Sequence, residues 1–148
     1  MTDLERFLAY FQDFEKTYLD DDWGRLEPYF APDAVYRVEG AGSIDCELRG
    51  RDALLSGIRK FLDGFDRRCE REIVPNGAPV VDGPFVRVRG TVLYTRGDSE
   101  QVRLEIEEEA EYRDGVIAVL TDRYAPGTWA AFEAWAEHFA ADLDPSYT

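Results

Sequence analysis

The chain has 148 residues, with 17 Lys and Arg against 31 Asp and Glu, for a net charge of -14. That length suits one domain with a single core, and the negative charge repels phosphate backbones and anionic membranes, so nucleic acid is excluded as an expected partner. Hydrophobic residues at 45% and aromatics at 14% exclude a disordered chain; the acidity is read as a solubility device, with the charge on surfaces or in a polar pocket.

No N-terminal apolar run follows a basic segment, and no stretch approaches the roughly 20 apolar residues of a membrane helix. A cytoplasmic location is therefore expected. Cys46 and Cys69 form no CxxC and His138 is the lone histidine, a pattern that supports neither a disulfide framework nor a Cys/His zinc site. The expectation is no metal and no cofactor.

In chain order, Thr2 and Glu5 have capping-box spacing, and Leu4, Phe7, Leu8, Phe11, Phe14, Tyr18 and Leu19 follow at helical intervals. A broad aromatic stripe of this kind belongs across a sheet. A short second helix is expected from Trp23 to Tyr29, ending before Pro32, and a first strand from Ala34 to Glu39. The segment from Gly40 to Gly50 is turn-rich. Arg51 to Phe65 resumes the helical period through Leu54, Leu55, Ile58, Phe61 and Leu62. The period then changes to two, predicting strands near Arg67 to Val74, Phe85 to Arg96, Val102 to Arg113 and Val116 to Tyr124. A last helix begins near Gly127 or Thr128, with Trp129, Phe132, Trp135, Phe139 and Leu143 on its apolar side. Helices first and a meander of strands afterwards predict an α+β domain, a curved antiparallel β-sheet with helices on one face.

The faces of the long hairpin locate the first candidate group. Val86, Val88, Val92 and Tyr94 share one face of their strand, as do Val102, Leu104, Ile106, Ala110 and Tyr112 of the next. Keeping both sets together restricts the register, because a one-residue slip reverses every side chain. Arg87 and Arg89 then oppose Glu107, Glu109 or Glu111, as cross-strand ion pairs of about 0.2 to 1 kcal/mol each. Glu108 does not fit this arrangement, since it falls on the apolar face. A buried carboxylate costs several kcal/mol unless paired, hydrogen-bonded or protonated. Three arrangements would meet that cost: a pocket around Glu108, an ion pair with Arg67 or Arg71, or a β-bulge returning it to water. Asp122 is the second candidate, on a strand apolar on both faces, where a role in a site and a strand-end ion pair with a neighbour both suit it. Tyr18 and Tyr36 are phenols on apolar faces that need hydrogen-bond partners.

The run Asp22-Trp23 with Leu26, Phe30 and Asp33-Ala34-Val35-Tyr36, then Gly50-Arg51-Asp52-Ala53-Leu54, and finally Asp114-Gly115-Val116-Ile117 with Asp122-Arg123-Tyr124 resembles the nuclear-transport-factor-two-like superfamily, nearest its SnoaL-like bacterial members. The resemblance covers about residues 4–125 of a single domain, 1–148, with a C-terminal helical extension at 126–143. It implies a cone-shaped sheet wrapped by three helices around a deep pocket, usually in a homodimer. It does not choose among isomerases, cyclases, dehydratases, epoxide hydrolases and non-catalytic binding domains. Such enzymes tune a carboxylate in an apolar cavity. On that pattern Glu108 or Asp122 is the expected general acid/base, with Tyr18 and Tyr36 as hydrogen-bond donors. Phe11, Phe14 and Trp23 are the expected wall, with Arg71 and Tyr94 also in the pocket, around a small apolar or aromatic ligand. The rival expectation is a binding or interaction domain with a filled or purely binding pocket.

Overall fold

The computed structural model describes residues 1–148. Thr2 caps the first helix, α1 (Asp3–Asp20), its hydroxyl accepting from the Glu5 amide at 3.1 Å while its own amide donates to the Glu5 carboxylate at 2.7 Å. The buried stripe runs through Phe7, Tyr10 and Thr17, with Phe11 and Phe14 packed beside it, whereas Leu19 is 84% exposed. The expected stripe thus shifts: Tyr10 and Thr17 join it, and Leu19 turns to solvent.

Trp23–Tyr29 forms a 3₁₀ segment containing Pro28, whose ring and missing N–H disfavour an α-helical interior. Strand β1 (Phe30–Glu39) begins four residues earlier than Ala34, and its pairing shifts register between Phe30 and Val35, where Pro32 lies. The turn-rich segment holds a short edge strand, β2 (Cys46–Arg49), before α2 (Arg51–Gly64). Four residues are too few to show a period.

After α2 the chain turns through a 3₁₀ segment at Asp66–Arg68, and β3 (Glu70–Pro75) starts later than the Arg67 predicted. That turn swings Asp66 inward, to 3% exposure. Strands β4 (Val80–Asp82), β5 (Phe85–Thr95), β6 (Val102–Arg113) and β7 (Val116–Tyr124) follow, then helix α3 (Thr128–Phe139). The sheet order is β2-β1-β7-β6-β5-β3, with β4 also on β5. The sheet is mixed rather than wholly antiparallel: β1 runs parallel to β7 because the long excursion through β2 to β6 separates them. No helix is long and apolar enough to cross a membrane.

The outer face of the sheet carries the charge. Arg87 opposes Glu109 and Arg89 opposes Glu107, at 2.6 and 3.1 Å, and Arg123 joins them to Glu39. The acidic run of β6 is thereby a ladder of ion pairs on one face, of modest value each, with Glu108 pointing the other way.

Helix α3 is part of the core. Phe132 is 1% exposed and sits between Phe65 and Trp129, with ring centroids at 5.2 and 4.6 Å. Beyond it the chain returns along α2, where Lys60 bonds Asp144 and Ser146, each at 2.9 Å. Tyr147 then stacks on Phe61 at 4.7 Å. Gly57 permits this return: a Cβ there would lie 2.2 Å from Leu48 Cδ1 and 3.1 Å from the Tyr147 carbonyl oxygen. Gly57→Ala is expected to cost about 1 to 3 kcal/mol by overpacking, read as a lowered midpoint in urea denaturation.

Candidate active site

The β6–β7 register places Glu108 directly opposite Asp122, and the β5–β6 register places Val88 beside Glu108. Both carboxyls therefore point into the concave face among apolar neighbours. Arg67 and Arg71 do not reach Glu108: Arg67 pairs with Asp21 and Asp63, and Arg71 with Glu15 and Asp66. Nor does a bulge return Glu108 to water, because the irregularity of β6 falls at Glu111/Tyr112. Glu108 Oε1 and Asp122 Oδ1 are buried and lack any protein donor. One proton shared between the acids would satisfy both oxygens, as two buried like charges this close cannot both ionise.

Tyr36 lifts the symmetry of the pair. Its hydroxyl donates to Asp122 Oδ2, and the ring is 1% exposed. Burial, reinforced by the Asp122 charge, holds the Glu108 carboxyl well above the usual carboxylate range. Burial also raises Asp122, but hydrogen bonds from Glu108 and Tyr36 oppose that rise. The pair therefore holds its shared proton more tightly on Glu108 than on Asp122.

These groups line a cavity of about 520 Å³ between the concave face and helices α1 and α2. At the β3–β4 loop the cavity runs out to exposed residues including Ile73, Gly77 and Pro79. Phe11, Phe14, Tyr36, Arg71, Tyr94, Glu108 and Asp122 all stand on its wall. Two of the expected pocket residues do not. Trp23 packs edge-on against Phe14 and donates to Asp21 at 2.6 Å, because the 3₁₀ segment carries it outward. Tyr18 lies behind the wall, its ring 4.1 Å from the Arg71 guanidinium, as a cation–π platform. A second, more open groove of about 710 Å³ on the outer side is lined by Asp33, Arg49 and Glu111 among others. It contains neither of the coupled acids.

Sequence reasoning missed Tyr10, Asp66, Tyr124 and Tyr147, which share the cavity. Tyr10 had a signal, since it follows Phe7 by three residues and precedes Phe14 by four. Asp66 and Tyr147 had none: one lies in a polar turn and the other in an irregular tail. No group of three or more His, Cys, Asp or Glu is arranged to hold a metal ion.

Residues 4–120 match the SnoaL-like domain. The chain belongs to that family. A putative SnoaL-like polyketide cyclase from Jannaschia sp. CCS1 superimposes with a TM-score of 0.68 at 16% identity, covering 90% of this chain and 91% of that one. An NTF2-like protein of unknown function from Burkholderia pseudomallei K96243 gives 0.67 at 15% identity, over 91% and 98% of the two chains. An LEH-like epoxide hydrolase from M. tuberculosis gives 0.61 at 18%, over 90% and 91%. At these identities the likeness shows the fold alone. No curated protein matches the sequence.

Proposed function

We propose that this SnoaL-like protein is a cofactor-independent enzyme that moves protons on a small apolar or aromatic substrate, with Asp122 as base and Glu108 as acid. The observation that carries the reading is the Glu108–Asp122 pair, directly opposed across two strands and unpaired with any arginine. In an enolisation, Asp122 takes a proton from the carbon beside a carbonyl while Glu108 gives its own to the carbonyl oxygen. The C–H electron pair becomes the enol double bond, and Tyr36 holds Asp122 in place. Isomerisation, cyclisation, dehydration and epoxide opening all use such a pair. The rival reading is a binding or interaction domain with a filled or purely binding pocket; the engaged arginines and the cavity of about 520 Å³ argue against its filled form, and turnover separates chemistry from a purely binding pocket.

Deuterium exchange into 2-tetralone, followed by mass spectrometry, tests the assignment without a known substrate. The unaltered protein is expected to exchange the protons beside the carbonyl faster than a folded Glu108→Gln, Asp122→Asn double variant. Equal rates for the two proteins would remove the acid/base role.

A homodimer belongs to the same proposal. Val116, Ala118 and Val119 of β7 remain half-buried in the single chain, and a second copy would cover them. Light scattering at micromolar concentration is expected to give twice the chain mass; a monomer would argue against this contact.

A further inference from the structure

The acid pair does not account for a second polar group in the same cavity. Asp66 is 3% exposed and lines the cavity, and its Oδ1 is buried without a hydrogen-bond partner. Its other oxygen accepts from the Tyr94 hydroxyl at 2.6 Å. Arg71 Nε stands 3.6 Å from Asp66 Oδ1, too long for a good hydrogen bond. The Arg71 guanidinium hydrogen-bonds only to Glu15, through Nη2. An acceptor and a donor group with unused capacity thus stand side by side on the wall, held there by Tyr94 and Tyr18.

We infer that Asp66 and Arg71 form a hydroxyl-binding subsite, so that the cavity takes a molecule with an alcohol, phenol or enol group distant from its reacting centre. A hydroxyl donates to Asp66 Oδ1 and accepts from Arg71 at once. Other groups satisfy only half of the site. A carboxylate meets Arg71 but faces Asp66 and Glu15, an ammonium meets Asp66 but faces Arg71, and a ketone leaves Asp66 unmet. Burial raises the Asp66 carboxyl even against Arg71, Tyr94 and Tyr18, so a further donor supplies solvation that the fold withholds.

The inference rests on the reading of the cavity as a ligand site, but its test needs no turnover. Calorimetric titration compares 4-hydroxybiphenyl with biphenyl, both small enough for a cavity of about 520 Å³. The unaltered protein is expected to bind the hydroxylated probe about tenfold tighter or more, and Asp66→Asn to lower that preference to about threefold or less. Equal affinity for the two probes, or binding of neither, overturns the inference. So does a preference that survives in Asp66→Asn and disappears in Glu108→Gln, which would put the hydroxyl at the acid pair. A crystal structure of the unaltered protein with 4-hydroxybiphenyl needs no variant. Its oxygen within hydrogen-bond distance of Asp66 Oδ1 supports the subsite, and its oxygen against Glu108 or Asp122 overturns it. Absence of 2-tetralone exchange alongside a retained hydroxyl preference would remove the catalytic reading and leave the subsite standing.

Discussion

Asp122→Asn is expected to lower 2-tetralone exchange by about 10²- to 10⁴-fold, the range for loss of a positioned general base. The amide is nearly the same shape and its oxygen still accepts from Tyr36, so a loss of this size would report the missing base rather than a disturbed fold. Activity requires one proton on the pair. It is expected to rise with pH as Asp122 ionises and to fall as the raised Glu108 carboxyl ionises, giving a bell whose limbs belong to the pair jointly. A flat profile would argue that neither acid takes part.

The same pair makes stability fall as pH rises above about 4. The Glu108 carboxyl holds its proton more tightly in the folded protein than in the unfolded chain, where its pKa is about 4.3. Its stabilising contribution is therefore full below about pH 4 and lost as pH rises through the folded value. Over that interval the wild type is expected to lose about 1.4 kcal/mol per pH unit relative to Glu108→Gln. Urea denaturation of both proteins from pH 4 upward measures this. Parallel curves would mean that Glu108 is not buried as described.

Phe132→Ala is expected to cost about 3 to 5 kcal/mol, a large share of the roughly 5 to 15 kcal/mol that holds a domain of ordinary stability together. The ring is 1% exposed, and Phe65, Trp129, Tyr94 and Trp135 surround it. Its removal leaves a hole that these four rings cannot close. The measurement is the urea midpoint, and a loss under about 1 kcal/mol would show α3 to be a detachable extension instead of a wall of the core. Because Tyr94 also holds Asp66, the same variant is expected to loosen the hydroxyl subsite while leaving the Glu108–Asp122 register, which the β6–β7 ladder sets, in place.

The strongest sequence signal was the alternation in β5 and β6. It put Arg87 and Arg89 opposite Glu107, Glu109 or Glu111, among which the structure selects Glu109 and Glu107, and it left Glu108 on the apolar face, because a period of two permits only two orientations. Helix existence was legible from apolar residues recurring at helical intervals. Element boundaries were less so wherever proline or a short segment intervened, as at Pro28, Pro32 and the edge strands β2 and β4. Trp23 was expected in the pocket because it is large and aromatic, but a 3₁₀ segment rotates its side chains differently from an α-helix and carries it outward.

By itself, then, the sequence determined the α+β class, the elements that bound the core and the presence of a carboxylate on an apolar sheet face, all of which follow from local periodicity and capping. Only the tertiary structure decided which groups meet. The opposition of Glu108 and Asp122, the hydroxyl of Tyr36 on Asp122, the inward turn of Asp66 and the return of Tyr147 to the cavity join residues far apart in the chain. Such meetings depend on register and loop path, and neither leaves a periodic trace in sequence.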